Sequence, residues 1–250
     1  MGNKFTKKYE IHYYEVNSEL RCKLSSIINF LGDIGTQQSE GLGVGMEYCE
    51  KKNCAWVFYK YDIKMHRYPM FREIINITTE PVGFKKFYGL RKYIISDGEE
   101  NVIGEALALF FLIDMEKRRP MRIQEEQYAA YGLYDDVNYN VDMEKVEKCE
   151  EEQYHKQFDI RYGDIDSNNH VNNVKYVEWA IEAVPPEVVS NYVLRRIKVI
   201  FEKETTYGEK ISASATVRGK DDMKLKSYHK IKNSEGSQLT LLEAEWEKVR

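Results

Sequence analysis

The sequence predicts an α+β protein of two tandem units, each a curved antiparallel sheet wrapped around one long helix. Three observations carry that prediction. An apolar stripe at helical spacing, followed by a meander of strand-like runs, fills residues 5–115. The same order returns over residues 155–249. A polar turn dense in Asp and Asn feeds the second helix within residues 159–182. A helix with one apolar stripe and strands with one apolar face bury each other when the sheet curls round the helix.

Composition narrows the class. The 250 residues are 42% hydrophobic and 31% charged, which is globular rather than disordered. A formal charge of -4 leaves no broad basic field, so no nucleic-acid partner is expected. The 19 tyrosines, many in strand-like runs, suit half-buried sheet. No apolar run approaches the roughly 18 residues of a membrane span, so no stable membrane insertion is expected. The first residues lead into charged strand-like sequence rather than an apolar signal core. Cys22, Cys49, Cys54 and Cys149 form no Cys-x-x-Cys pair and have no His at zinc-ligand spacing. They read as free thiols in a reducing cytoplasm, and neither a metal nor a cofactor is expected.

Taken in order, residues 5–16 read as a strand. Asn17-Ser18 reads as an N-cap. Leu20, Leu24, Ile27, Ile28, Leu31 and Ile34 then recur at steps of three and four, a helical stripe ending near Gly35. Gly41, Gly43 and Gly45 have a loose phosphate-loop spacing but lack the Gly-Lys-Ser/Thr ending, so residues 39–53 read as a connector. Strands are expected over residues 54–64, 73–80, 84–96 and 101–115, with Asp97-Gly98 as a turn. Residues 1–122 therefore form a first unit. Residues 123–150, charged and Tyr-rich, read as a short helix and a linker. Residues 151–250 form a second unit: a strand over 155–162, a helix stopped by Pro185-Pro186, and strands over 192–202, 211–217, 224–231 and 238–249. The shared order and the match of Glu73-Ile74-Ile75 to Glu209-Lys210-Ile211 indicate an internal repeat. A helix and meander present twice points to a double hotdog architecture.

The turn before the second helix concentrates the chemistry. Asp166, Asn168 and His170 alternate, and alternate residues of an extended segment share a face. Asn168 can donate and accept, His170 can titrate near neutrality, and Asp166 can orient a neighbour. A helix start adds backbone N–H groups and a positive dipole end. Each residue alone would more often make an Asx turn or a cap; the cluster with a His at its end favours an active site. His12, His66, His155 and His229 sit in plain strand or turn contexts and read as structural.

Asp166-x-Asn168-x-His170-Val171-Asn172-Asn173-Val174-Lys175-Tyr176, with Trp179 beyond, resembles the signature of acyl-acyl-carrier-protein thioesterases. Bacterial members of that family are two hotdog units in one polypeptide, and the likeness in length and order covers nearly the whole chain. The resemblance implies hydrolysis of a fatty acyl thioester on the phosphopantetheine arm of acyl carrier protein, in the cytoplasm. It places a catalytic carboxylate at Glu204 and puts Thr205 where the family carries a Cys, so a Cys–His nucleophile is not expected there. Glu204 would then be general base or nucleophile, His170 the proton-transfer partner, Asn168 the group that positions water or the oxyanion, and Asp166 the residue orienting Asn168 or Glu204. The first unit would hold the acyl chain, with Leu24, Ile27, Ile28, Leu31, Trp56 and Phe58 as lining. An acidic carrier protein would dock on Lys117-Arg118-Arg119 with Arg122, or on Arg195-Arg196 with Lys198. A homodimer, an acyl-coenzyme A thioesterase and a non-catalytic acyl-binding protein of the same fold stay open.

Overall fold

The computed structural model describes residues 2–133, 143–219 and 221–249. The chain divides into two compact units, Met1–Tyr59 with Met65–Met143, and Lys60–Lys64 with Glu144–Arg250.

In the first unit, β1 (Phe5–Glu10), β2 (Cys54–Met65), β3 (Ile74–Lys85), β4 (Tyr88–Ser96) and β5 (Val102–Asp114) form a sheet in the order β1-β3-β4-β5-β2. The short β6 (Arg119–Pro120) pairs with β5. Helix α1 (Leu24–Gly41) lies against β1 and β3 and buries Leu24, Ile27, Ile28, Leu31 and Ile34 of the stripe read from the sequence, while Leu20, also expected in it, lies before the helix and is exposed. The stripe runs on to a buried Gln38, past the stop expected at Gly35. Helix α2 (Met46–Lys51) and helix α3 (Glu125–Ala130) complete the unit. The stretch expected as a glycine-rich connector instead holds the end of α1 and all of α2. The Glu40 carboxylate accepts the Met46 N–H at 2.7 Å, capping α2, and it presses so close to Gly45 that a β-carbon there would collide with it.

The chain enters α1 differently from the expectation. The strand ends at Glu10, and Tyr13–Glu15 makes a 3-10 turn. Asn17 does not cap the helix. Its Oδ1 accepts the N–H groups of Glu19 at 3.1 Å and Arg21 at 3.0 Å, closing an Asx-type turn with Leu20 at φ +59°. Strand β3 also runs longer than expected, through Pro81, with a register irregularity between Pro81 and Gly83. Pro81 lies beyond the end of the β1 pairing, where its missing N–H removes no ladder bond to that neighbour.

In the second unit, β7 (Tyr154–Asp159), β8 (Tyr192–Phe201), β9 (Lys210–Gly219), β10 (Lys224–Asn233) and β11 (Gln238–Lys248) take the order β8-β11-β10-β9-β7. Residues Lys60–Lys64 of β2 pair antiparallel with β8 and belong to this unit. Helix α4 (Asn173–Glu182) packs on β9, β10 and β11 with Val174, Tyr176, Val177, Trp179 and Ala180 buried. Pro185-Pro186 ends that stretch as expected, and Pro186 then opens helix α5 (Pro186–Asn191), its fixed φ being suited to a first helical turn. The charged run Glu144–Glu152 lies along the sheet rather than free in solvent. Buried Glu243 pairs with Lys198 at 2.8 Å and Lys226 at 2.7 Å and accepts the Glu147 N–H at 3.0 Å. Lys230 meets Glu150, and Lys232 meets Glu152.

The internal repeat extends to single hydrogen bonds. Asn17 N–H donates to Arg21 O at 2.8 Å, as Asp166 N–H does to His170 O at 2.8 Å. Leu20 and Asn169 share positive φ, +59° and +62°. Cys22 N–H donates to Pro69 O at 2.9 Å, and Val171 N–H to Thr205 O at 3.0 Å. Arg21 therefore stands where the second unit has His170, Glu19 where it has Asn168, and Tyr68 where it has Glu204.

Candidate active site

The second unit builds its turn from the backbone outward. Asp164, 1% exposed, closes the 3-10 turn Tyr162–Asp164: its carboxylate accepts the Arg161 backbone N–H at 2.9 Å and the guanidinium at 3.0 and 3.2 Å. Burial would raise that carboxyl, but the Arg161 bonds outweigh it and hold it below the usual carboxylate range. Asn172 N–H donates to Asp164 O at 2.9 Å, which ties the turn to the start of α4. The Asn172 side chain caps α4 by accepting the Val174 N–H at 3.0 Å.

Inside this frame Asp166 Oδ1 accepts the Asn168 backbone N–H at 2.8 Å. Asp166 thus shapes the loop through its backbone rather than by touching the Asn168 side chain. The side chain of Asn168 is exposed and makes no hydrogen bond among the described residues. Its amide can therefore turn to an incoming oxygen. Asn169, at φ +62°, lets the chain double back so that His170 faces the segment beyond β8.

That segment brings Glu204. Past β8, residues 202–206 run alongside the turn, held by Val171 N–H to Thr205 O at 3.0 Å and Thr206 Oγ1 to Asn169 O at 3.3 Å. The result places His170 Nε2 3.4 Å from Glu204 Oε2, with both side chains part-exposed. An imidazole beside an accessible carboxylate can pass a proton to it and take one back. Thr205 is buried, and its hydroxyl donates to Glu209 Oε2 at 2.7 Å. It braces the loop and offers no thiol nucleophile.

The residues expected to line the acyl pocket fall on two elements of the first unit. Leu24, Ile27, Ile28 and Leu31 are buried along α1. Trp56 and Phe58 are half-buried on β2, Trp56 stacked on Phe84 at 5.6 Å and Phe58 against Phe110 at 4.3 Å. Sequence reasoning missed Asp164 and Arg161, although an acid three residues after a base before a helix was a legible signal. No cluster of His, Cys, Asp and Glu among the described residues has metal-site geometry.

Two hotdog units in tandem define the fold, and an Asp–Asn–His turn lies against a carboxylate in the second. Profiles of the acyl-ACP thioesterase N-terminal domain and C-terminal domain match residues 2–131 and 147–248, and the chain belongs to that family. It is 24% identical over 230 residues to the oleoyl-acyl carrier protein thioesterase of Coriandrum sativum, covering 85% of this chain and 62% of the relative. It is also 24% identical over 230 residues to a palmitoyl-acyl carrier protein thioesterase of Gossypium hirsutum, covering 86% and 55%. The chain thus spans about three-fifths of the length of these curated relatives. Among solved structures, a protein of Lactobacillus plantarum described as an oleoyl thioesterase superposes with TM-score 0.94 at 22% identity, over 100% of this chain and 98% of that one. A 12:0-ACP thioesterase from Umbellularia californica gives 0.87 at 20% identity, over 98% and 94%. These likenesses establish the fold.

Proposed function

We propose that this chain hydrolyses the thioester joining a fatty acyl chain to acyl carrier protein, releasing the free fatty acid. The observation that carries the reading is the 3.4 Å approach of His170 Nε2 to Glu204 Oε2 beside the exposed Asn168 amide. Glu204 takes a proton from water, and the hydroxide formed attacks the thioester carbonyl. The oxyanion of the tetrahedral intermediate is met by the Asn168 amide. Collapse breaks the C–S bond, and the proton returns through His170 to the departing pantetheine thiolate. Asp166 keeps the loop in register. The second unit, residues 151–250, is the catalytic one, and the first, residues 1–122, holds the acyl chain along α1. Family membership and the names of the relatives support a carrier-protein substrate.

The surface favours one of the two docking patches. Arg196 is engaged by Asp62 at 2.6 Å and Glu144 at 3.1 Å, and Lys198 is buried on Glu243. Lys117, Arg118, Arg119 and Arg122 are exposed on and beside β6 and suit an acidic carrier. The test is a panel of acyl carrier protein thioesters of differing chain length, run beside the matching coenzyme A thioesters. Turnover of the carrier-protein series with a chain-length optimum supports the reading. Preference for the coenzyme A series, or no turnover of either, contradicts it.

A further inference from the structure

Arg91 and Tyr93 are alternate residues of β4, so they share a face of the sheet, and both reach α1. One terminal nitrogen of Arg91 donates to the Gln38 side-chain carbonyl and, at 2.9 Å, to Thr79 Oγ1. Gln38 is fixed in that orientation because its amide nitrogen donates to Asn3 O at 2.7 Å. The Tyr93 hydroxyl lies against α1 one turn before Gln38, where a β-carbon on Gly35 would stand 3.5 Å from it. Thr79 faces Tyr93 directly across the β3–β4 ladder. Tyr131 covers the guanidinium, its ring centre 5.5 Å from Arg91 Cζ, while its own hydroxyl is paired with Ser39 Oγ at 2.6 Å.

Donors outnumber acceptors in this cluster. A guanidinium donates only, and both bonds of Arg91 run through a single nitrogen. Arg91 is buried, yet it pairs with no carboxylate among the described residues; buried Glu80, next to Thr79 on β3, pairs with Lys4 at 3.8 Å. The Tyr93 hydroxyl is fully buried without a partner, and burial, opposed by the charge of Arg91, pushes the phenol up to about 12, so it keeps its proton. A buried cation is costly until an opposite charge neutralises it. One guanidinium answers one negative charge, and its planar fork fits the two oxygens of a carboxylate. Beyond the polar groups the same faces are apolar and fully buried: Ile77 before Thr79, Ile95 after Tyr93 and Ile34 one turn before Gln38. A single anionic head beside such a wall suits a monocarboxylate with an alkyl tail.

We propose that Arg91 and Tyr93 form a carboxylate-binding site for a free fatty acid, with the alkyl tail directed towards Ile34 and Leu31 of α1. The carboxylate takes the unused N–H groups of Arg91 and the Tyr93 O–H. This site lies within the first unit and uses neither His170 nor Glu204, so it goes beyond the hydrolysis proposed above.

Calorimetric titration with decanoate, decanol and acetate reads the site without turnover, so its outcome is separate from that of the thioester panel. Decanoate is expected to bind the parent chain and raise its melting temperature. Tyr93→Phe keeps the ring and removes one donor to a charged group, which should weaken decanoate binding about tenfold. Arg91→Met removes the charge and should weaken it by more. Tyr93→Phe leaves the Arg91 bonds to Gln38 and Thr79 in place and decides the matter if Arg91→Met does not fold. Failure of decanoate to bind the parent overturns the proposal, as does equal affinity in the parent and Tyr93→Phe. Decanol binding as tightly as decanoate also overturns it, since that marks an apolar pocket with no use for the charge. Acetate binding as tightly as decanoate overturns the alkyl tail.

Discussion

His170 Nε2 stands 3.4 Å from Glu204 Oε2, although the imidazole rides a turn before α4 and the carboxylate a stretch beyond β8. Two backbone-directed bonds, Val171 N–H to Thr205 O and Thr206 Oγ1 to Asn169 O, hold those segments together. His170→Ala leaves both bonds in place. It should lower kcat for acyl carrier protein thioesters about a hundredfold or more, with KM within about threefold because the carrier contacts are untouched. Steady-state rates read both values, and an unchanged kcat removes His170 from the proton path.

Glu243 holds buried Lys198, half-buried Lys226 and the Glu147 N–H. Glu243→Ala leaves Lys198 only the exposed Glu144 carboxylate at 3.5 Å, and Lys226 only those of Glu147 and Glu245 at 3.8 Å. Breaking a buried ion pair from one side costs about 3–5 kcal/mol, and at about 2–4 °C per kcal/mol for a chain of this size the melting temperature should drop by roughly 10 °C. A shift below about 2 °C would show that water reaches the cluster. Calorimetry measures it directly.

His229 lies in the core of the second unit. Trp246 Nε1 donates to Ser227 Oγ at 2.8 Å, so the Ser227 proton goes to His229 Nε2, also at 2.8 Å, and the ring carries its own proton on Nδ1. Burial, opposed by the Ala180 carbonyl, pushes the imidazole down to about 4 from 6.5. The unfolded chain binds this proton at higher pH than the folded one. Stability is therefore fully present above about pH 6.5 and falls as pH drops towards 4, by on the order of 3 kcal/mol. His229→Gln should flatten the dependence of melting temperature on pH across that window. An identical slope in parent and variant contradicts the assignment.

For carrier docking, Arg119→Glu with Arg122→Glu should raise KM for acyl carrier protein thioesters about tenfold at low salt and leave kcat unchanged. The gap from the parent should narrow above about 0.3 M salt as screening grows. An unchanged KM removes this patch from consideration.

The apolar stripe of α1, the two meanders and the Asp/Asn/His turn were legible because period and turn chemistry are local. The entry into α1 was not: Asn17 as an Asx turn and Asn17 as an N-cap present the same sequence, and only the hydrogen bonds to Glu19 and Arg21 distinguish them. Pairing of Lys60–Lys64 with β8 is a long-range choice that no window of sequence encodes. Glu204 was reached through family resemblance, because nothing adjacent to it marks it. Arg21, Glu19 and Tyr68 take the places of His170, Asn168 and Glu204 while the loop is kept, because the backbone bonds of the turn do not depend on those side chains.

The most direct measurement is hydrolysis of an acyl carrier protein thioester by Glu204→Gln beside the parent chain. The substitution keeps the shape of the side chain and removes its basicity. The account predicts kcat at least a hundredfold lower, with unchanged KM and melting temperature. Parent-like turnover by Glu204→Gln would contradict it.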